Sequence, residues 1–369
     1  MKIGIAKEIK DHEFRVALTP EGVDEVVRNG HEVWVETTAG QGSGFSDDSY
    51  RAVGARIASS AEELFDRVEM ILKVKGPLAS EIVSLQPRHT LFTFLHLASS
   101  KTLTEALMKS GCTAIAYETM EDERGHLPML LPMSQIAGKL AVQIGAHYLE
   151  RTQGGEGILL GGLPGVARGH VVILGAGGVG STAVEIALGM GARVTVIGND
   201  MSQLQGLQER FGNNLTTLAS QRLVIAETVK SADLLIGAVM VRGAKSPVLV
   251  SRSMVATMKK GALIMDIAVD QGGCVETTRP TTHADPIFEV DGVRHYGVTN
   301  IPGIVPQTST YALTQATLPF IVRLANRGVE AALHDPGMAR GVNVRQGAIT
   351  YPAVAEAHGL PCELPVRKE

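Results

Sequence analysis

Residues 171–200, VVILGAGGVGSTAVEIALGMGARVTVIGND, set out a strand, a glycine turn, a helix and a second strand in that order. Gly175, Gly177 and Gly180 spell G-x-G-x-x-G directly after the apolar run VVIL and open the helix. The first glycine makes the tight turn, and the second lets backbone approach a pyrophosphate. The third brings helix close to strand, while the unpaired N–H groups of the helix start receive the anion. The six-residue pattern alone is weak. Flanked by this strand and helix, with VTVIG following at the right distance, it specifies a dinucleotide-binding unit in a doubly wound α/β fold.

The end of the second strand bears on which dinucleotide. A carboxylate there binds both ribose hydroxyls and repels a 2′-phosphate, which selects NAD over NADP. This chain has Gly198 in that place, then Asn199, and an acid only at Asp200. No cation that could hold a 2′-phosphate follows in GNDMSQLQGLQ before Arg210. The expectation is NAD, with weak discrimination against NADP.

Working outward, 369 residues suffice for two domains, and a composition 44% apolar and 20% charged is that of a globular protein. A net charge of −4 gives no basic surplus to draw in nucleic acid or anionic lipid. No apolar run approaches the length of a membrane span, and the start, MKIGIAKEIK, has no secretory apolar core. Cys112, Cys274 and Cys362 are scattered in no metal-ligand spacing. A reduced, cytoplasmic, metal-independent protein is expected.

Before the glycine turn, KIGIAK, HEVWVET, MILKVK, TLFTFLHL and CTAIAYET read as strands, with helical stretches such as TPEGVDEVVRNG and SKTLTEALMKSG between them. LPMSQIAGKLAVQIGAHYLE predicts a long helix capped at Ser134. A glycine-rich connection follows, in which GILL is a candidate strand. The second series comprises VVILGAG, RVTVIG, LVIA, ADLLIGAV, ALIMDIAV and HYGVTN. From Thr308 the chain predicts a helix kinked near Pro319 and stopped at Gly328. These series imply two doubly wound Rossmann-like domains with parallel sheets and a cleft between them. Residues 1–128 and 307–369 would form a substrate and catalytic domain, and 129–306 the NAD-binding one.

Four chemically able side chains stand at strand ends or in the loops after them. His96 closes LFTFLHLA, Asp270 follows ALIMDIAV, Lys75 ends ILKVK, and Arg15 lies in KDHEFRVALTP. The ends of parallel strands are where doubly wound folds place their chemistry. The ordinary reading of each is a solvated loop charge or, for His96, a structural histidine; four suitable groups at four loop positions weigh against that reading for all of them together, while composition does not establish that they converge. Asp266, inside its strand, reads as structural.

The chain resembles the alanine dehydrogenases nearly end to end. The resemblance is carried by KEIKDHEFRVALTP, GQGSGFSDDSY, LFTFLHLA, GCTAIAYET, PMSQIAGKLA, GGLPGV, MDIAVDQGGCVETTRPTTH and HYGVTNIPGIVPQTSTYALTQATLP, besides the glycine turn. The related proton-translocating transhydrogenases share the fold, but their pattern continues into membrane helices.

The resemblance implies reversible oxidative deamination of L-alanine by NAD, giving pyruvate, ammonium and NADH. It makes Arg15 and Lys75 substrate-binding and His96 and Asp270 catalytic. Its cofactor contacts fall on Ser134, Gly178, Val179, Ser220, Val239, Met240, Ile267, Ala268, Val269, Asp270, Arg279, Val298, Thr299, Asn300 and Ile301. It also implies a homohexamer. Two family contacts do not carry over: the ribose carboxylate is Gly198 here, and a basic residue five positions on is Gln203. Gly76 stands where an acid is common. A nicotinamide-binding component that passes hydride to a partner, and a related amino-acid or imine dehydrogenase, are the alternative readings.

Overall fold

The computed structural model describes residues 1–239 and 245–363. The chain divides into two compact units, 1–133 with 303–369, and 134–302. The first holds β1 (Lys2–Ile5), β2 (Glu32–Glu36), β3 (Arg56–Ala58), β4 (Met70–Lys75), β5 (Thr90–Phe94) and β6 (Thr113–Ala116). The second holds β7 (His170–Leu174), β8 (Arg193–Gly198), β9 (Leu215–Ala219), β10 (Leu234–Gly237), β11 (Leu263–Asp266), β12 (Ile287–Val290) and β13 (Val293–Tyr296). The chain then returns to the first unit with β14 (Val342–Arg345) and β15 (Ala348–Ile349).

The first sheet runs β15-β14-β6-β5-β4-β1-β2-β3, parallel from β6 to β3, with β14 antiparallel to β6 and to β15. The second runs β12-β13-β11-β10-β7-β8-β9, parallel except for the edge pair β12 and β13. Both sheets are therefore doubly wound and mostly parallel, each finished by antiparallel edge pairing. The central strands β5 and β7 are buried along their whole length, as strands covered on both faces must be. Leu64, Phe65, Ile71, Leu91 and Leu107 anchor one core; Val172, Leu174, Leu235, Val255 and Ile264 anchor the other.

Among the parallel strands of each sheet the order reverses once, between β1 and β4 in the first and between β7 and β10 in the second. Helices leave on opposite faces at such a point, so the crevice at the strand carboxyl ends is open to ligands. Local signals agree with the chain's path. Thr19 caps Pro20–Arg28 by accepting the Gly22 N–H, and Ser100 caps Lys101–Ser110.

Four expected elements differ. The long helix opens at Leu130, so Ser134 lies inside it instead of capping it. GILL forms no strand, and the LVIA run belongs to the helix Arg222–Val229. A short apolar run has no period by which helix and strand can be told apart. The strand of that region is β9, whose LTTLA is half exposed at the sheet edge. In Pro306–Leu333 the backbone break falls at Gly328 (φ 74°, ψ 170°), while Pro319 is accommodated within the helix. No helix among the described residues is long and apolar enough to cross a membrane.

Candidate active site

In the first unit Arg15, Lys75 and His96 share one edge of the sheet. Lys75 is the last residue of β4, His96 lies two residues past β5, and Arg15 is in the loop after β1. These three strands are neighbours, and β1 and β4 flank the point of reversal. The fold thus brings two cations and an imidazole to the strand ends where ligands bind.

Each of the three is held by a carboxylate. Arg15 is 2% exposed, and its Nε and Nη2 meet Glu13 Oε1 and Oε2 at 2.7 and 2.6 Å. Its Nη1 lies 3.1 Å from Met133 Sδ. Lys75 follows an irregularity in β4: Leu72 pairs with Phe92 but Lys75 with Phe94, so β4 has one residue more than β5. Such a bulge takes backbone N–H groups out of the ladder. Glu8 Oε1 accepts those of Val74 and Lys75, at 2.6 and 3.2 Å.

Glu8 also faces buried Lys73, whose Nζ lies 3.5 Å from Glu8 and 2.7 Å from Glu81 Oε1. Burial pushes the Lys73 ammonium pKa down, but the two carboxylates outweigh it and raise the pKa overall. Burial raises the Glu8 pKa more than Lys73 lowers it. Glu81 then holds the Leu78 N–H at 2.8 Å, fixing the chain just beyond Lys75. His96 has left-handed backbone (φ 49°, ψ 41°), with its N–H on Glu118 Oε1 at 2.6 Å.

In the second unit several of the expected cofactor residues lie at or just after the carboxyl ends of the strands. Gly175 has φ 103°, and a Cβ on it would lie 2.5 Å from the Ala238 carbonyl oxygen just beyond β10. A Cβ on Gly180 would lie 1.9 Å from the Gly175 oxygen, which forces the helix Gly178–Gly189 onto the turn. A Cβ on Gly177 would meet nothing within 4 Å. Two glycines are therefore demanded by packing, while the middle one borders open space beside the helix start. Gly178 and Val179 lie half exposed in that first turn. This cradle suits the pyrophosphate of a nicotinamide dinucleotide.

The other expected contacts that are described lie in the same unit. Ser134 belongs to the helix Leu130–Tyr148, which packs on the glycine-turn helix so tightly that a Cβ on Gly138 would lie 2.2 Å from the Val179 oxygen. Gly198 ends β8 and accepts the Ser220 N–H at 2.8 Å. Val239 follows β10 and accepts the Ser246 hydroxyl at 2.9 Å; Met240 lies outside the described residues. Val298, Thr299, Asn300 and Ile301 follow β13, with Asn300 in left-handed conformation (φ 61°). Arg279 is exposed, its guanidinium 4.5 Å from the centre of the Phe288 ring.

Asp270 is exposed in the short turn Val269–Gln271 after β11. Asp266 governs that loop, which also carries Ile267 and Ala268. Its carboxylate accepts the N–H groups of Ala268 at 3.2 Å, Cys274 at 2.9 Å and Val275 at 3.1 Å. Burial raises its pKa, against the lowering by these hydrogen bonds.

Asp200 does not stand in simply for the missing ribose carboxylate. Its Oδ1 caps the helix Met201–Phe211, accepting the N–H groups of Ser202 and Gln203 at 2.9 and 3.2 Å. Among the described residues no cluster of His, Cys, Asp and Glu could hold a metal ion.

Glu8, Glu13 and Glu118 were not singled out by sequence reasoning. The only available signal was their place, each beside a strand end or a few residues from an expected site cation.

Family models for the alanine dehydrogenase/PNT N-terminal and C-terminal domains match residues 4–137 and 141–352. The chain is 52% identical to the alanine dehydrogenase of Halomonas elongata, over 98% of this chain and 97% of that one. It is 51% identical to that of Methanococcus maripaludis, again over 98% and 97%. A solved L-alanine dehydrogenase superposes with a TM-score of 0.93 at 50% identity, covering 97% of this chain and 99% of the other. With both domain models in order and a match of this extent, the chain belongs to the alanine dehydrogenase/PNT family.

Proposed function

We propose that the chain catalyses the reversible conversion of L-alanine, water and NAD+ into pyruvate, ammonium, NADH and a proton. The observation that carries this reading is the presence of Arg15, Lys75 and His96 at three adjacent strand ends in a chain that aligns with alanine dehydrogenases throughout. Residues 1–128 with 307–369 serve substrate binding and catalysis, and 129–306 bind the cofactor.

Arg15 is suited to the carboxylate of an α-amino or α-keto acid through the Nη1–Nη2 side of its guanidinium, since Glu13 takes the Nε–Nη2 side. Glu13 offsets its charge and fixes its plane. The Lys75 ammonium stabilises negative charge developing on a carbonyl or carbinolamine oxygen. His96 moves the proton to and from that oxygen. Asp270 orients the water that attacks the imine carbon and holds the nitrogen by charge. When bound, the nicotinamide supplies the hydride acceptor for the α-carbon. Ser134, Gly178, Val179, Gly198, Ser220, Val239, Met240, Arg279 and the stretches 267–270 and 298–301 form the dinucleotide site. The working form is a cytoplasmic homohexamer.

The deciding measurement is NADH oxidation dependent on both pyruvate and ammonium, repeated with NADPH and with a panel of α-keto acids. Dependence on both substrates, with pyruvate preferred, is expected. NADH binding without that turnover would instead mark a hydride-passing component, and preference for a bulkier keto acid a related dehydrogenase.

A further inference from the structure

We infer that Glu118 is a positioning residue for His96, acting on its backbone; this rests on the catalytic assignment of His96. After β5 ends at Phe94 the chain reverses through His96 in left-handed backbone, a conformation that L residues with a Cβ disfavour and that needs outside support. Glu118 supplies it. It lies in the turn Tyr117–Thr119 after β6, the strand beside β5.

Its two carboxylate oxygens take two successive backbone donors, Oε2 the Leu95 N–H at 3.2 Å and Oε1 the His96 N–H at 2.6 Å. Consecutive N–H groups aimed at one point form an anion nest, and a carboxylate bridging them is charge-assisted. The other side of the residue is held as well: the His96 carbonyl accepts the Ser99 N–H at 3.0 Å and the Ser99 hydroxyl at 2.8 Å.

The same turn steadies the imidazole. The His96 ring lies within 9° of parallel to the Phe94 ring, centroids 5.9 Å apart. Phe94 in turn meets the edge of buried Tyr117 at 5.1 Å. One short turn therefore fixes the backbone of His96 and braces the ring beside it. Without the carboxylate the left-handed residue relaxes and the imidazole leaves its place. A displacement of about 1 Å in a reacting group costs about 100-fold in rate.

The test uses the full chain with pyruvate, ammonium and NADH, comparing E118Q, E118A, H96A and E118A/H96A. Glutamine keeps one acceptor oxygen, so E118Q should retain the fold and lose about tenfold in kcat, and E118A about 100-fold. The pyruvate KM and the NADH dissociation constant, read by fluorescence titration, should change little. Amide hydrogen exchange at Leu95 and His96 should accelerate in E118A without the cofactor present. In the H96A background, E118A should add no further loss. A parental kcat in both Glu118 variants, an equal loss with or without His96, or a collapse of NADH binding along with kcat overturns the positioning role. A parental rate in H96A alone instead refutes the catalytic assignment of His96.

Discussion

Glu13 grips the Arg15 guanidinium along one edge, Nε on Oε1 at 2.7 Å and Nη2 on Oε2 at 2.6 Å, with both side chains buried. The cation that we assign to the substrate carboxylate is therefore held rigid by its own sequence neighbour. Lysine at this position keeps the charge and loses the fork. Arg15→Lys should raise the pyruvate KM by tenfold or more, about 1.4 kcal/mol of binding, with a smaller change in kcat. Arg15→Ala should also lower the melting temperature, because Glu13 stays buried without its bidentate partner, a loss of about 3–5 kcal/mol. Steady-state kinetics and a thermal melt read both effects. An unmoved KM in both variants would place the carboxylate grip elsewhere.

This pairing also shows which parts of the site were legible in the sequence. The glycine turn could be read because all its parts lie within one short stretch and two of its glycines answer local demands, the φ of 103° at Gly175 and the close packing at Gly180. The positions of Arg15, Lys75, His96 and Asp270 at or after strand ends could be read because strand ends follow from the alternation of strands and helices. The carboxylates behind them could not. Glu8 reaches Val74 and Glu118 reaches His96 across adjacent strands, contacts that exist only once the sheet order is known. Asp200 was ambiguous for a different reason: a carboxylate before a helix serves equally as cap or ligand, and only its hydrogen bonds to Ser202 and Gln203 separate the two.

Asp266 presents a similar case in the second unit, where its carboxylate gathers the loop that carries Asp270. Asparagine would turn one acceptor into a donor facing backbone N–H groups. Asp266→Asn should therefore loosen residues 267–275, lowering kcat and weakening NADH binding together. The neighbouring thiol gives an independent readout. Cys274 is buried with Sγ 3.6 Å from Asp266 Oδ1, and burial followed by that negative charge raises its pKa well above the usual thiol range. Alkylation at Cys274, mapped by mass spectrometry against exposed Cys362, should rise sharply in the variant. Unchanged labelling and kinetics would mean that the loop keeps its form without the carboxylate.

For His96 and Asp270 the expected outcome is loss of chemistry with retention of cofactor. Removing a general acid–base group lowers turnover by about 10²–10⁴. His96→Ala and Asp270→Asn should each do so while NADH fluorescence titrations remain near the parent. Both residues are exposed, so neither change should disturb the fold. Near-parental turnover in either variant would remove that residue from the mechanism.

Gly198 sets the test of cofactor choice. A Cβ there would meet Leu204 Cδ2 at 3.3 Å and Ala176 Cβ at 3.5 Å, so Leu204 must yield by a few tenths of an ångström. Gly198→Asp should cost about 1 kcal/mol of stability from this crowding. The new carboxylate, at the end of β8, would tighten NADH binding about tenfold and penalise NADPH, as one charge-assisted hydrogen bond allows. If neither affinity shifts, the ribose does not lie at this strand end.

The pH dependence of stability should depend on Glu156, in the glycine-rich connection. It stands against Asp233, which also accepts the His170 N–H at 2.6 Å and is paired with Lys259. Burial first and the Asp233 charge second push the Glu156 carboxyl up from its usual 4.5 to about 7, with Lys259 opposing. Between those values the unfolded chain has released the proton that the folded chain still holds. The contribution of Glu156 is thus fully present below about pH 4.5 and lost as pH rises through about 7. His170 works in the opposite direction. Burial, with Arg193 adding to it, lowers its pKa from 6.5 to about 4, so its contribution grows as pH rises across that range. The two trends partly mask each other in the parent, and the informative quantity is the difference between variant and parent. Melting temperature for Glu156→Gln minus parent should become more positive from pH 5 to pH 8, since the amide keeps the neutral form's shape and never ionises. A difference that stays flat across that range would show that Glu156 ionises as freely in the folded chain as in the unfolded one.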